Sequence, residues 1–424
     1  MGGQTKGKKK NKAKRKDPRS NGGSGVAGLS PQDRMKLKMQ EKAKKKTAEK
    51  YTVEQLLEKT EECMDSLEFE MAGRFCQRAL EVEPDNLLTL DLLGHIHSEL
   101  GDTQRAREVF LRAVQLSPDE GHSKYMSLGQ IHTGQEAVQY YTKGIQILLC
   151  MLEKHAQATA GAGAEAAASP LHDSGSEIPT ARDVCVAYCS VAEIYFTDLC
   201  MEERAGDQCR QAIERALTYH PDNPEALQLM ASYLFSTEKN QEGREYLMRS
   251  VDAWLPALKQ SEAPPSKEDI EEEHTQSDIP PYESRITTAK LLVEAEEYET
   301  AVDVLEGLLE EDDEVVQVWY LSGWVCYLQM ERAKEERTRE EREESDEERE
   351  ECEALKEAAR SYLTKAKKLY VKLHCDDGPI LEHMEQLLGE LGGETEGEEG
   401  ETDPALDEDF EPNSDDEEED AMEH

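Results

Sequence analysis

The sequence predicts an all-α solenoid in which helical pairs follow one another along the chain. Residues 75–86 recur as residues 109–120, so the two segments are 34 positions apart. Alanines keep their places between the two copies, where small side chains allow two helices to approach closely. A proline closes each copy, at Pro84 and Pro118, and proline cannot continue a helix because it lacks a backbone N–H.

A 34-residue period of this kind is typical of the tetratricopeptide repeat, which serves as a binding scaffold. We therefore predict a superhelical solenoid of about seven helical pairs over residues 51–391. A capping helix at 379–391 should close it, because the end of an open stack exposes apolar surface. The best-defined pairs are 53–67 with 70–82, 87–100 with 103–116, 181–200 with 204–219, and 224–236 with 240–254.

The first two pairs carry local signals for their helix ends and contacts. Thr52 precedes the first helix, and Gln55 three residues later predicts a capping box. In the second pair, Gly94 and Ala106 are small where the two helices should cross, and Pro118 ends the second helix. These signals predict the most regular part of the stack.

The third, sixth and seventh pairs depart from the regular pattern. The third opens near Tyr125, has an inter-helix turn about four residues shorter than the consensus, and continues through Leu152. The sixth pair uses Ala289 and Ala301 at its helix contacts. The seventh opens at Trp319, and its second helix arrives 24 residues late. The late pairs therefore contain inserted chain.

Five segments should lie outside the packed helices. Residues 1–50 form a basic arm and residues 392–424 an acidic tail, and both lack the apolar residues that a core requires. An Ala/Gly/Ser-rich stretch at about 155–180 predicts a flexible insert, and paired prolines at 256–281 predict a linker. The Glu/Arg run at 331–357 is either a long exposed helix or disordered.

Charge is distributed unevenly over the 424 residues. The net charge is −44, yet residues 1–50 hold 17 Lys/Arg and 4 Asp/Glu. Residues 391–424 hold 17 Asp/Glu and no Lys or Arg. The remainder is strongly acidic, so it should repel nucleic acid and anionic membrane and attract basic partners. An acidic body that is merely soluble is the alternative.

The basic arm contains a dense cluster of positive charge. Such a cluster predicts a nuclear import signal read by an import receptor, or an arm that contacts nucleic acid. A solubilising tail remains the alternative, and we expect RNA contact only through residues 1–50. The candidate import residues are Lys8, Lys9, Lys10, Lys12, Lys14, Arg15 and Lys16.

The sequence contains no recognisable enzyme motif and no cofactor signature, including phosphate-binding loops, zinc-protease motifs and the serine-hydrolase elbow. The ten cysteines show no CxxC spacing and no accompanying histidine cluster, so we expect no metal site. No apolar run reaches the ~18 residues of a membrane span. No signal peptide is present, so we expect a reducing compartment. We also expect no membrane contact and no small-molecule substrate.

Tetratricopeptide solenoids bind partners along the concave groove lined by the first helix of each pair. Carboxylates in such a groove accept bidentate bonds from Arg, and aromatic faces receive guanidinium groups. The charges could instead form an ordinary solvated face, and the aromatics could be inter-repeat core. The candidate groove residues are Glu61, Asp65, Asp91, His95, Glu99, Glu193, Phe196, Asp198, Glu294, Tyr320, Trp324 and Tyr327.

Two serines lie in acidic runs that suit a kinase selecting acidic substrates. Ser345 is followed by Asp-Glu-Glu and Ser414 by Asp-Asp-Glu. Phosphorylation would add negative charge to regions that are already acidic.

Residues 191–200, followed by Ala205 and Cys209, form the most specific stretch of the chain. Together with the short third repeat and the Trp319–Trp324 cluster, they resemble the assembly chaperones of ribosomal protein L-four, a fungal tetratricopeptide family with metazoan relatives. The resemblance covers about residues 52–391, and the Ala/Gly insert and the Glu/Arg run depart from it.

The resemblance implies a dedicated chaperone in the nucleus and cytoplasm. It would hold newly made ribosomal protein L-four by a long basic internal loop and shield that loop from RNA. It would then release the protein to nuclear pre-ribosomes during assembly of the large subunit. The alternatives are a tetratricopeptide adaptor that scaffolds another protein complex and an RNA-associated factor acting through the basic arm.

Overall fold

The computed structural model describes residues 51–161, 179–261, 279–340 and 345–395. All regular secondary structure in this described part is α-helical, which confirms the predicted fold class. The chain forms two compact units, one ending at His132 and the other beginning at Thr133.

The described residues of unit 1, 51–132, form two complete helical pairs and one further helix. The first pair is α1 with α2, and the second is α3 with α4. The helices are α1 (Val53–Asp65), α2 (Phe69–Val82), α3 (Leu87–Glu99), α4 (Thr103–Leu116) and α5 (Ser123–Ile131).

In the described part of unit 2, the first helix is long and the last is the predicted cap. Its helices are α6 (Gly134–Gly161), α7 (Ala181–Phe196), α8 (Ala205–Tyr219), α9 (Pro224–Ser236), α10 (Asn240–Asp252), α11 (Leu255–Ser261), α12 (Tyr282–Glu294), α13 (Tyr298–Glu311), α14 (Val316–Glu340), α15 (Asp346–Lys372) and α16 (Gly378–Leu391). The boundary between the units falls between α5 and α6, the two helices of the predicted third pair.

Side-chain caps explain where several of these helices begin. Thr52 accepts a hydrogen bond from the Gln55 backbone N–H, and the Gln55 side chain accepts from the Thr52 N–H, so the predicted capping box is present. Asn86 caps α3 at 2.9 Å, and Asn223 caps α9 at 2.9 Å. Pro224 follows at the first position of α9, where its missing N–H costs nothing.

The turns inside four of the described pairs repeat one backbone geometry. At the end of α3, the Gly101 N–H donates to Ser98 O and the Asp102 N–H to His97 O, which is a Schellman motif. The residue after the helix then takes a left-handed conformation, with φ of 72° at Gly101. The same conformation falls on non-glycine residues in three other pairs, at Leu67, Glu238 and Glu296. The fold thus accepts local strain there.

Close helix crossings depend on glycine and alanine, as predicted. A Cβ at Gly94 would lie 2.4 Å from a ring carbon of Phe110, whose side chain is fully buried. A Cβ at Gly323 would similarly lie 2.7 Å from Leu363. Ala106 is fully buried at the α3–α4 contact.

Two hydrophobic clusters hold the second half of unit 2. The first joins α9–α14 around the fully buried Trp254 and includes Leu292 and Leu305. The second packs α14 and α15 against α16 through Leu363 and Met384. The cap therefore covers the last repeat with apolar side chains, as the end of a solenoid requires.

The predicted linker and the Glu/Arg run are helical where the structure describes their residues, apart from the ends of the described ranges. The linker predicted at 256–281 begins as helix, because α11 extends to Ser261, and residues 262–278 lie outside the described part. The Glu/Arg run takes the helical alternative in its described residues, as the end of α14 and the start of α15. Residues 162–178 of the Ala/Gly insert, the basic arm and most of the acidic tail lie outside the described residues. Within the described part, no helix has the length and apolar character of a membrane span.

Candidate partner-binding surface

Charge is segregated between the two kinds of helix in unit 1. The first helices of the two complete pairs, α1 and α3, hold seven Asp/Glu and one Lys. Their second helices, α2 and α4, hold three Glu and five Arg. Of the predicted groove residues, Glu61, Asp65 and Glu99 are exposed on the acidic helices. This distribution would favour a basic partner on the first-helix side.

Asp91, on α3, is the most shielded of the predicted carboxylates in unit 1. Burial raises the pKa of its carboxyl, and His95, Lys124 and His122 partly oppose the shift. Its Oδ1 atom is buried and accepts no hydrogen bond from the described residues. The predicted His95 lies beside it, and its Nε2 is 3.0 Å from Ser123 Oγ.

Lys124 does not donate a hydrogen bond to Asp91 Oδ1. Its Nζ donates to Ser117 O at 2.6 Å and to Glu120 O at 2.5 Å, and the side chain is nearly buried. The lysine therefore closes the turn after α4.

In unit 2, two carboxylates lie on the neighbouring first helices α7 and α9. Glu193 is on α7 and Glu225 is on α9, and the two helices pack against each other. Glu193 stays accessible to solvent, yet burial of its carboxyl raises its pKa and the charge of Glu225 raises it further. Burial also raises the pKa of Glu225, although Arg182 opposes this. We call these two residues the Glu193–Glu225 pair.

The Glu193–Glu225 pair has the electrostatic signature of a cation-binding position. Both carboxyls are harder to ionise than in water, so the cations that surround them do not compensate for burial. A guanidinium or ammonium group beside either carboxylate would offset the cost of its burial and form charge-assisted hydrogen bonds with it. The pair can therefore gain from a basic partner.

Asp198 has a structural role that the sequence prediction missed. It was predicted on the first helix of the fourth pair, but α7 ends at Phe196, and Asp198 lies in the connection that follows. Its Oδ2 accepts a hydrogen bond from the Gly134 N–H at 2.9 Å and so caps the start of α6. Thr197 is the C-cap residue of α7, and its Oγ1 donates a hydrogen bond to Glu193 O at 2.7 Å. The predicted Phe196 is half-buried.

The next first helices, α9 and α12, are joined by neutral hydrogen bonds. Ser284 and Thr288 donate from their hydroxyls to Gln228 Oε1, at 2.8 and 3.2 Å. The predicted Glu294 is exposed at the end of α12. This stretch therefore has a polar, uncharged contact where an acidic groove was predicted.

The predicted aromatic residues of the seventh repeat face the cap helix α16. Tyr320 donates a hydrogen bond to His383 Nδ1 at 2.7 Å when that nitrogen is unprotonated, and it stacks on Trp324 at 6.0 Å. Trp324 meets the same histidine edge-on. Tyr327 donates to Glu390 at 2.6 Å, and this bond and burial raise the pKa of Tyr327 to about 12.

These contacts occupy part of the aromatic surface that we predicted to receive guanidinium groups. All three side chains are half-buried, because α16 packs against them. The alternative that they contribute to the inter-repeat core describes them better.

Glu225 is the residue of this surface that sequence reasoning did not select. It follows Pro224 in the first turn of α9, where an acidic residue is ordinary because it complements the helix dipole. Its effect on the pKa of Glu193, which lies on the neighbouring helix α7, appears only in the folded structure. The candidate import residues, Lys8 to Lys16, lie outside the described residues. Within the described part, no group of His, Cys, Asp or Glu is arranged to hold a metal ion.

The helical pairs, the 34-residue period and the glycine crossings define the class of protein, a tetratricopeptide-repeat scaffold. The tetratricopeptide repeat family matches residues 89–120. A solved structure titled Assembly Chaperone of RpL4 (Acl4), residues 1–338, is similar to this chain with a TM-score of 0.56 and 29% identity. The match covers 67% of this chain and 99% of that one.

Two curated relatives carry the name probable assembly chaperone of rpl4. The protein of Schizosaccharomyces pombe is 31% identical over 72% of this chain and 80% of its own length. The protein of Emericella nidulans is 29% identical over 80% of this chain and 82% of its own length. The chain belongs to the family of rpl4 assembly chaperones.

Proposed function

We propose that this protein is a dedicated chaperone for newly made ribosomal protein L-four. It holds a basic segment of that client on its first-helix surface, shields the segment from RNA, and delivers the client to nuclear pre-ribosomes. Membership of the family supports the client class, because the relatives are named for rpl4. The Glu193–Glu225 pair is the observation that best supports a basic segment as the ligand.

The charge distribution supports the proposed mode of capture and release. Acidic first helices in unit 1 and the Glu193–Glu225 pair in unit 2 attract Lys and Arg over several ångströms. Binding of this kind weakens as salt rises, because added ions screen the attraction. Phosphates of ribosomal RNA would compete for the same cations and so release the client.

The basic arm supports the part of this proposal that concerns delivery to the nucleus. Residues 1–50 carry 17 Lys/Arg, and an import receptor that reads this arm would bring chaperone and client into the nucleus. We propose that the protein moves between cytoplasm and nucleus in this way. Any direct contact with RNA is assigned to the same arm.

Co-purification from cells under native salt tests the proposal, with the bound proteins identified by mass spectrometry. We expect one dominant partner, ribosomal protein L-four. Several non-ribosomal subunits in fixed ratio would instead support the adaptor. Co-purification of RNA and no protein client, with the RNA lost when residues 1–50 are deleted, would support the RNA-associated factor.

Charge reversal tests the surface itself. Glu193→Lys combined with Glu225→Lys should weaken client binding by about tenfold or more, because it removes two charge-assisted contacts and adds repulsion. Glu202→Lys combined with Glu203→Lys is the matched control, since it changes the net charge equally and both residues are exposed in the connection after α7. Equal binding by both variants, with unchanged circular dichroism, would contradict the assignment of the pair.

A further inference from the structure

Ser345 is the N-cap residue of α15, directly before Asp346, and it lies inside a dense acidic run. Three of the four residues before it are Glu, and Asp346, Glu347 and Glu348 follow it. A serine/threonine kinase with a basic substrate cleft selects hydroxyls that are followed by carboxylates, most strongly at the third position, because the carboxylates pair with cations of the cleft. Glu348 occupies that third position.

The structure presents the Ser345 hydroxyl on exposed, extended backbone. The side chain is exposed, and φ and ψ are −73° and 163°. Ser345 Oγ accepts a hydrogen bond from the Glu348 backbone N–H at 3.2 Å, and Glu348 Oε2 accepts from the Ser345 N–H at 3.0 Å. These two bonds form a capping box. The carboxylate that a kinase would select is therefore the one that closes the box.

The first turn of α15 is held weakly enough to open for a kinase. Asp346, Glu347 and Arg349 are exposed and Glu348 is half-buried, and the first apolar side chain that packs on the hydrophobic cluster is Cys352, in the second turn of the helix. A first turn without apolar packing opens at low cost, whereas the packed remainder stays folded.

We propose that Ser345 is a phosphorylation site for an acid-selective serine/threonine kinase, and that the phosphate then replaces the capping box as the cap of α15. In the transfer, the bond from the γ-phosphorus of ATP to its bridging oxygen breaks and a bond to Ser345 Oγ forms. ADP leaves with the bridging oxygen, and the hydroxyl proton passes to a base of the kinase.

The phosphate would be well placed once it is attached. It lies at the positive end of α15. A phosphate oxygen can accept the hydrogen bond that the Glu348 backbone N–H now donates to Ser345 Oγ. The Glu348 carboxylate, in contrast, is repelled by the phosphate and gives up its bond to the Ser345 N–H. The modified helix therefore keeps its start but exchanges one cap for another.

The full-length chain, incubated with MgATP and a kinase that requires an acidic third position, tests the site. We expect one phosphate on the peptide that contains Ser345, none there in Ser345→Ala, and phosphorylation of Glu348→Gln slowed by about tenfold or more. Glu350→Gln is the matched control and should react like the wild type, because Glu350 lies outside that position and is exposed. Phosphate on Ser414 alone would overturn the proposal, as would equal rates for Glu348→Gln and the wild type.

Hydrogen exchange distinguishes a phosphate that caps α15 from a phosphate that unfolds the first turn of α15. In the phosphorylated chain the backbone N–H of Glu348 should remain at least as protected as before. Faster exchange of this N–H after phosphorylation would overturn the assignment of the phosphate as a cap.

Discussion

Replacing Asp198 by Ala should destabilise the start of α6 while leaving partner binding intact. Asp198 Oδ2 lies 2.9 Å from the Gly134 N–H, and this N–H has no acceptor within its own helix because it is in the first turn. Loss of a carboxylate cap costs about 1 kcal/mol. For a unit of this size that loss lowers the midpoint of thermal unfolding by about 2–4 °C.

Thermal unfolding followed by circular dichroism measures the change, and client capture is assayed on the same preparations. Asp252→Ala is the matched control, because Asp252 is exposed at the last position of α10 and should change stability little. Hydrogen exchange at Gly134 should accelerate in Asp198→Ala only. A variant that melts like the wild type but captures the client about tenfold more weakly would refute the capping role and return Asp198 to the binding surface.

Three further predictions follow from local geometry and charge. Gly94→Ala should destabilise unit 1 by roughly 1–3 kcal/mol in urea unfolding, because the added Cβ would lie 2.4 Å from Phe110; an unchanged midpoint would show that the ring can move. Glu238→Gly should stabilise unit 2 by up to about 1 kcal/mol, because φ at Glu238 is 60°, whereas lower stability would mean that the Glu side chain outweighs the strain. Glu193→Gln should raise the urea midpoint at neutral pH. The raised pKa of Glu193 means that its contribution to stability is greatest in acid and is lost as pH rises through that pKa. The gain should therefore shrink as pH falls, and a gain independent of pH would contradict the electrostatic cause.

The helical pairs can be predicted from the sequence because each carries its own start, stop and crossing signals. The starts predicted at 87, 103, 181 and 224 are those of α3, α4, α7 and α9. Thr52 and Gln55 predict the first cap because the two residues that form it are neighbours in the chain. Local chemistry decides these features, so no knowledge of the tertiary structure is needed.

The rest of the candidate site depends on contacts between residues that are far apart in the chain. The partner of Asp198 is 64 positions away, and the partner of Tyr320 is 63 positions away. Helical spacing places both side chains on a first-helix face, but it cannot show that the start of α6 or the cap α16 already occupies them. Glu225 was missed for a related reason, because its importance comes from its effect on the pKa of Glu193, a carboxylate on another helix.

The Glu193–Glu225 pair connects the stability of the free protein to the proposed chaperone cycle. In the free protein the two carboxylates are partly desolvated and repel each other, so they lower stability. Under the proposed function, a basic client would reverse this, because its cations would add to the partial compensation that Arg182 gives Glu225. The free energy of binding would then include relief of repulsion as well as new contacts, and this gain would be lost when the cations move to RNA phosphates. Such a surface would bind a basic segment while that segment has no RNA and release it when RNA is present, which is the order of events that the proposed delivery of a ribosomal protein requires.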